Sequence, residues 1–191
     1  MLTIEILNTF FLATHLELPF HVYMQKNHSL LNQYFKKNSI NDQSQRVLRG
    51  KINELLILRY LKSRGVNNLY PQVNLFFIPD IKFDLVLFTK TKRILGFSIK
   101  TCLRDRYKLA VLEGQQLKKL DSRFRYYLLT NDTKEVERLN QKIKQGKVQG
   151  IDEVINCFQP QSDLFIQQLL TQQFTLFTDI NLIKKIKKNQ N

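Results

Sequence analysis

Cysteine, tryptophan, proline and glycine are all scarce in this chain of 191 residues. It has two cysteines, Cys102 and Cys157, which are too few and too isolated for a disulfide framework or a cysteine-based zinc site. We therefore expect a reducing, cytoplasmic environment. With four prolines and six glycines, the sequence has no linker, repeat or low-complexity block. The composition, 43% hydrophobic and 24% charged, suits one compact domain with a small appendage.

Acidic residues are also few, because 16 Asp and Glu stand against 30 Lys and Arg, giving a net charge of +14. This excess of positive charge favours a polyanionic partner, with nucleic acid ahead of an anionic membrane. A merely basic soluble protein is the alternative. The apolar start, Met1–Ala13, carries Glu5 and has no basic flank, so we expect neither a signal peptide nor a membrane span.

The spacing of apolar residues predicts an α/β sandwich. Residues 1–42 form a predicted helical N-terminal extension for dimerisation or DNA contact, with breaks at Pro19 and around Asn38–Asn41. The core, residues 43–191, has predicted helices at about Gln43–Arg64, Tyr107–Leu120, Thr133–Lys144 and Ser162–Leu170. Predicted strands lie near Gln72–Ile78, Ile81–Thr89, Arg93–Thr101, Phe124–Leu129 and Glu153–Phe158.

An acid and a lysine on neighbouring predicted strands are the most informative feature. Asp84 lies in one strand, and Lys100 lies in the next strand after a short polar loop. Such charges are costly to bury in an apolar sheet unless they are paired or bind a metal. Mg²⁺ prefers oxygen ligands, typically one or two carboxylates with water and a substrate phosphate. The pair therefore predicts a metal-dependent site that cleaves phosphodiesters.

The second carboxylate of such a site is expected two residues before the lysine, where this chain has Ser98. A hydroxyl is a much poorer Mg²⁺ ligand than a carboxylate. Glu113 is the candidate replacement, because it borders the apolar stripe of the following helix and faces the predicted sheet. The alternative is an ordinary helix-surface glutamate near Lys108 or Lys118.

Asp84, Ser98, Lys100, Glu113 and the segment Leu103–Arg106 together resemble the PD-(D/E)XK nucleases. Within them the chain is most similar to type II restriction endonucleases of the EcoRII, PspGI and NgoMIV group, in which the second acid lies on the helix. The resemblance covers about residues 45–130 and implies a restriction-endonuclease-like fold, a mixed central β-sheet flanked by helices. It also implies Mg²⁺ bound by Asp84 and Glu113, Lys100 as the catalytic lysine, and a supporting acid, Glu54.

The resemblance further implies that Arg104, Asp105 and Arg106 read bases in the major groove. Arginine can bind guanine bidentately, and an acid can accept a hydrogen bond from cytosine. The alternative is a phosphate clamp without base specificity. One departure is that the usual Pro-Asp pair falls at Pro79 and Asp80, so Asp80 is an alternative ligand.

The implied activity is Mg²⁺-dependent cleavage of both strands of double-stranded DNA by a homodimer. Its site would be a short palindrome with a CCGG- or CCNGG-like core. Two alternatives stay open: a homing or repair endonuclease of the same fold, and a DNA-binding module that has lost catalysis.

Overall fold

The computed structural model describes residues 15–75, 78–104 and 106–176, except for the side chains of 75–80. Its elements alternate in the order of an α/β protein. The helices are α1 (Phe20–Lys37), α2 (Asp42–Ser63), α3 (Arg106–Leu120), α4 (Thr133–Lys144) and α5 (Gln161–Leu170). The strands are β1 (Tyr70–Leu75), β2 (Ile78–Thr89), β3 (Ile94–Lys100), β4 (Phe124–Thr130), β5 (Glu153–Asn156) and β6 (Phe174–Thr175).

In the described residues, six strands form one mixed sheet in the order β1-β2-β3-β4-β5, and β6 also pairs with β2. The first three strands are antiparallel, whereas β3, β4 and β5 are parallel. Helices α3 and α4 provide the two crossovers that parallel neighbours require. The prediction of an α/β fold with a mixed sheet flanked by helices is confirmed.

Each face of the sheet has its own apolar core, which follows from the period-two alternation of β2. Leu85 and Leu87 pack with α1, α2 and α5 on one face. Val86 and Phe88 pack with α3 and α4 on the other. Burial on both faces explains why β2 is continuously apolar from Leu85 to Phe88.

Helix α1 begins after Pro19, as predicted, and its described residues belong to the same core as α2. A hydrogen bond of 2.6 Å between His21 Nδ1 and Asp163 Oδ2 joins it to α5. Gln25 also donates to the Phe158 carbonyl at 2.7 Å. Residues 1–14 lie outside the described residues, and a role of the extension in dimerisation or DNA contact stays a prediction.

Helix α3 lies very close to the turn before β5, and glycines permit this approach. A Cβ at Gly114 would lie 2.4 Å from the Gly150 carbonyl oxygen. Gly150 itself has φ +100°, a conformation that side chains rarely adopt. The contact fixes the position of α3 over β4.

Among the described strands, β5 is at one edge of the sheet, and none of them pairs with its outward backbone groups. Asn140 of α4 takes the place of a neighbouring strand at Val154. Its amide nitrogen donates to the Val154 carbonyl at 2.7 Å, and its amide oxygen accepts from the Val154 N–H at 2.9 Å. Across the described ranges, no helix has the length and apolarity needed to cross a membrane.

Candidate active site

Asp84 and Lys100 lie side by side where the pairing of β2 and β3 ends. The paired residues run from Phe88 and Ile94 to Leu85 and Phe97. Beyond that point, Asp84 Oδ2 accepts from the Ile99 N–H at 2.6 Å and contacts Lys100 Nζ at 3.0 Å. The Asp84 carboxylate thus binds a backbone N–H of β3 and the Lys100 ammonium group at the same time. The adjacency of the two strands predicts the contact between Asp84 and Lys100.

Glu54 of α2 and Gln72 of β1 approach the same carboxylate from the opposite side. Gln72 Nε2 donates to Glu54 Oε2 at 2.7 Å and lies 3.4 Å from Asp84 Oδ1. Burial, followed by the negative charge of Asp84, raises the pKa of Glu54, and Lys100 opposes this. The predicted supporting acid is therefore close to the pair, in an environment that disfavours a second negative charge.

Glu113 points from α3 toward the sheet, as its place on the helix predicts. Its Oε2 accepts a hydrogen bond of 2.7 Å from the Tyr126 hydroxyl of β4. Burial, then Glu113, and more weakly Asp84 raise the pKa of Tyr126. The buried Ser98 hydroxyl acts on the same phenol and opposes this rise in pKa. Through Tyr126, Glu113 is therefore linked to Ser98, the position on β3 where a second acid was expected.

The donor set suits a hard divalent cation. Lys100 contacts Asp84, and both act electrostatically on Glu54. Asp84 and Glu113 both act electrostatically on Tyr126. In the described ranges, no three His, Cys, Asp or Glu side chains form a ready metal-binding group. Mg²⁺ usually takes one or two protein carboxylates and completes its shell with water and phosphate. The described acids are therefore ligands of the type that this cation prefers.

Arg104 and Arg106 are exposed beside this site, at the turn between β3 and α3. Arg104 has φ 30°, an unusual value for a residue with a side chain. The Arg106 N–H closes the turn by donating to the Leu103 carbonyl at 2.7 Å. Asp105 lies outside the described residues, and so does the side chain of Asp80. Base reading by this segment stays a prediction.

A second polar cluster, formed by His28, Asn53 and Asn131, lies on the other side of Glu54. The Asn53 amide oxygen is 3.0 Å from His28 Nε2 and accepts from Asn131 Nδ2 at 3.1 Å. Burial lowers the pKa of His28, which favours the neutral ring. This neutral cluster joins α1, α2 and the end of β4, and so fixes the helix that carries Glu54.

Gln72 and Tyr126 were not among the residues predicted for the site. Gln72 has φ 53° within β1, and that strained backbone places its amide between Glu54 and Asp84. Tyr126 is fully buried, yet its hydroxyl contacts Glu113. A tyrosine in an apolar strand indicates that a buried hydroxyl will need a hydrogen-bond partner, but the sequence does not identify that partner.

No family model matches this chain, and neither a curated protein nor a solved structure resembles it significantly.

Proposed function

We propose that this protein is a Mg²⁺-dependent phosphodiesterase that cleaves double-stranded DNA, with a PD-(D/E)XK type of site. The observation that carries the proposal is the 3.0 Å contact between Lys100 and Asp84 at the end of two paired strands. Glu54 of α2 is coupled to both members of this pair, and Glu113 of α3 contacts Tyr126, on which Asp84 also acts. Neutral packing residues would fill such a place at lower cost, since unmatched buried charge destabilises a fold.

The residues divide the chemistry among them. Asp84 and Glu113 would hold the Mg²⁺, which when bound polarises the phosphate and lowers the pKa of attacking water. Lys100 stabilises negative charge that develops on the phosphate oxygens and orients the nucleophile. The Gln72 amide donates to Glu54 Oε2 and contacts Asp84 Oδ1, and it thereby helps to position the Asp84 carboxylate.

The more specific proposal is a type II restriction endonuclease with a restriction-endonuclease-like fold. The net charge of +14 supports attraction to DNA, and the exposed Arg104 and Arg106 beside the site support base reading. Cleavage of both strands of a G/C-containing palindrome would require two sites, and hence a homodimer. Together with the two unpaired cysteines, this activity fits the cytoplasm.

A DNA-binding module without catalysis is the second candidate. It is favoured by the ion pair itself, because Lys100 already neutralises Asp84 in the structure. It is also favoured by the lack of a complete metal-binding group in the described residues.

Incubation of mapped plasmid DNA with the protein and Mg²⁺, followed by sequencing of the ends, tests the proposal. Discrete fragments with a common end sequence support a restriction enzyme. Rare or structure-dependent cuts indicate a homing or repair endonuclease of the same fold. A gel shift without cleavage, in Mg²⁺ and in Mn²⁺, contradicts the enzyme and favours the binding module.

A further inference from the structure

Tyr126 connects the two positions at which a site of this kind can carry its second acid. Its hydroxyl donates to Glu113 Oε2 at 2.7 Å. The buried Ser98 hydroxyl opposes the rise in the pKa of Tyr126, so it acts on the same phenol. Ser98 on β3 and Glu113 on α3 are therefore both coupled to Tyr126 on β4.

Two glycines hold the Tyr126 ring in a narrow slot. A Cβ at Gly96 would lie 3.3 Å from the ring, and one at Gly114 would lie 2.9 Å from it. Gly96 is on β3 and Gly114 directly follows Glu113, so the ring is confined between the strand and the helix. Phe83 packs against it edge to face, with the ring centroids 6.0 Å apart. The confined ring places its hydroxyl at Glu113 Oε2.

We propose that Tyr126 is the positioning residue for the displaced carboxylate: it holds Glu113 in the space left by Ser98, so that the helix supplies the metal ligand the strand lacks. This inference rests on the proposed function. A merely structural tyrosine would need any acceptor for its hydroxyl. Here the acceptor is the Glu113 carboxylate, and the buried Ser98 at the vacated acid position acts on the same phenol.

The test compares Tyr126→Phe with Tyr127→Phe, each of which removes one hydroxyl from β4. Tyr127 packs in the core on the opposite face of the sheet, stacked on Phe97, and serves as the matched control. Calorimetric titration with MnCl₂ measures cation affinity without any cleavage. We expect Tyr126→Phe to weaken Mn²⁺ binding about tenfold and to raise by a similar factor the Mg²⁺ concentration for half-maximal plasmid cleavage. Saturating Mg²⁺ should restore most of the cleavage rate.

Unchanged Mn²⁺ affinity in Tyr126→Phe overturns the inference, and so does an equal loss in both variants. If Tyr126→Phe does not fold, Ser98→Ala is the second test, because it removes the other hydroxyl that acts on Tyr126. It should weaken Mn²⁺ binding by a smaller factor, and unchanged Mn²⁺ binding would contradict the proposal. Failure of the proposed function gives a different result. In that case the parent protein itself neither binds Mn²⁺ nor cuts DNA.

Discussion

Two buried acids, Asp84 and Asp121, are each paired with a cation in closely similar surroundings. The side chains of Lys100 and Arg123 are 31% and 29% exposed, so burial does not distinguish the two pairs. The geometry does. Asp121 receives both Nε and Nη2 of Arg123, only two residues away, and the Arg123 N–H as well. Asp84 contacts groups 12 to 16 residues away in sequence.

The difference separates a structural pair from a candidate site. A bidentate guanidinium saturates the Asp121 carboxylate and closes the turn between α3 and β4. At Asp84, a single ammonium and one N–H share Oδ2, and in the described residues Oδ1 has the long 3.4 Å contact with Gln72. A carboxylate with an oxygen to spare can bind a cation, whereas a saturated one cannot do so without losing its partners.

The largest expected effect is the loss of cleavage when either member of the Asp84–Lys100 pair is removed. Asp84→Ala and Lys100→Ala should each reduce plasmid cleavage in Mg²⁺ by about 10²–10³ or more, because they remove groups that act in the transition state. DNA binding in Ca²⁺, measured by fluorescence anisotropy, should stay nearly intact. Asp121→Asn is the control and should cost about 1.5–3 kcal/mol of stability while preserving the cleavage rate. Cleavage by either site variant above a tenth of the parent rate would show that the site is wrongly assigned.

Glu113→Ala should reduce cleavage as severely as Asp84→Ala, because the Ser98 hydroxyl cannot replace a charged Mg²⁺ ligand. Combining it with Ser98→Glu should recover part of the rate, since an acid then returns to the strand. Single-turnover cleavage assays at several Mg²⁺ concentrations measure both effects. An active Glu113→Ala protein would make Glu113 a helix-surface residue and leave Glu54 or Asp80 as the second ligand.

Arg104→Ala and Arg106→Ala should each remove roughly 1–3 kcal/mol of discrimination between cognate and scrambled duplexes. Lys134→Ala, which changes an exposed lysine on α4, should weaken both duplexes about equally and flatten the salt dependence. Competition binding at two salt concentrations distinguishes these results. Equal losses on both duplexes would mean that the two arginines are a phosphate clamp, a result that is compatible with nuclease activity.

The smallest effect concerns the raised pKa of Glu54. The folded protein then holds a proton at pH values where the unfolded chain has released it, so stability falls as pH rises from about 4.5 through the raised pKa. Glu54→Gln should abolish this loss, and Mg²⁺ should reduce it in the parent. Glu153, whose pKa burial also raises, provides the control. Thermal unfolding of Glu153→Gln should also show a smaller loss of stability with rising pH, as in Glu54→Gln. Unlike Glu54→Gln, the Glu153→Gln variant should keep the response to Mg²⁺ that the parent shows. A Mg²⁺ effect that is the same in Glu54→Gln as in the parent would remove Glu54 from the cation site.

Elements with strong periodicity were predicted closely from the sequence. Helix α2 was expected at about Gln43–Arg64 and lies at Asp42–Ser63, where Asn41 caps it by accepting from the Ser44 N–H. Strand β1 was expected near Gln72–Ile78 but lies at Tyr70–Leu75, because cross-strand pairing with β2 fixes its bounds. The two-residue β6 carries no period at all and was missed.

The site was predictable where local pattern determines geometry. Asp84 and Lys100 meet because two strands joined by a short loop are neighbours, and Glu113 faces the sheet because of helical spacing. The role of Gln72 depends on a positive φ, and that of Tyr126 on the close approach of α3 at Gly150. Both depend on tertiary contacts between distant segments, which no window of sequence reveals.

The Asn140 amide at Val154 has a consequence for self-assembly. Both outward backbone groups of Val154 are already engaged, so a strand from another molecule would have to displace Asn140 in order to pair there. A side chain of the same molecule thus protects this strand, which discourages the open-ended polymerisation that a bare edge strand allows.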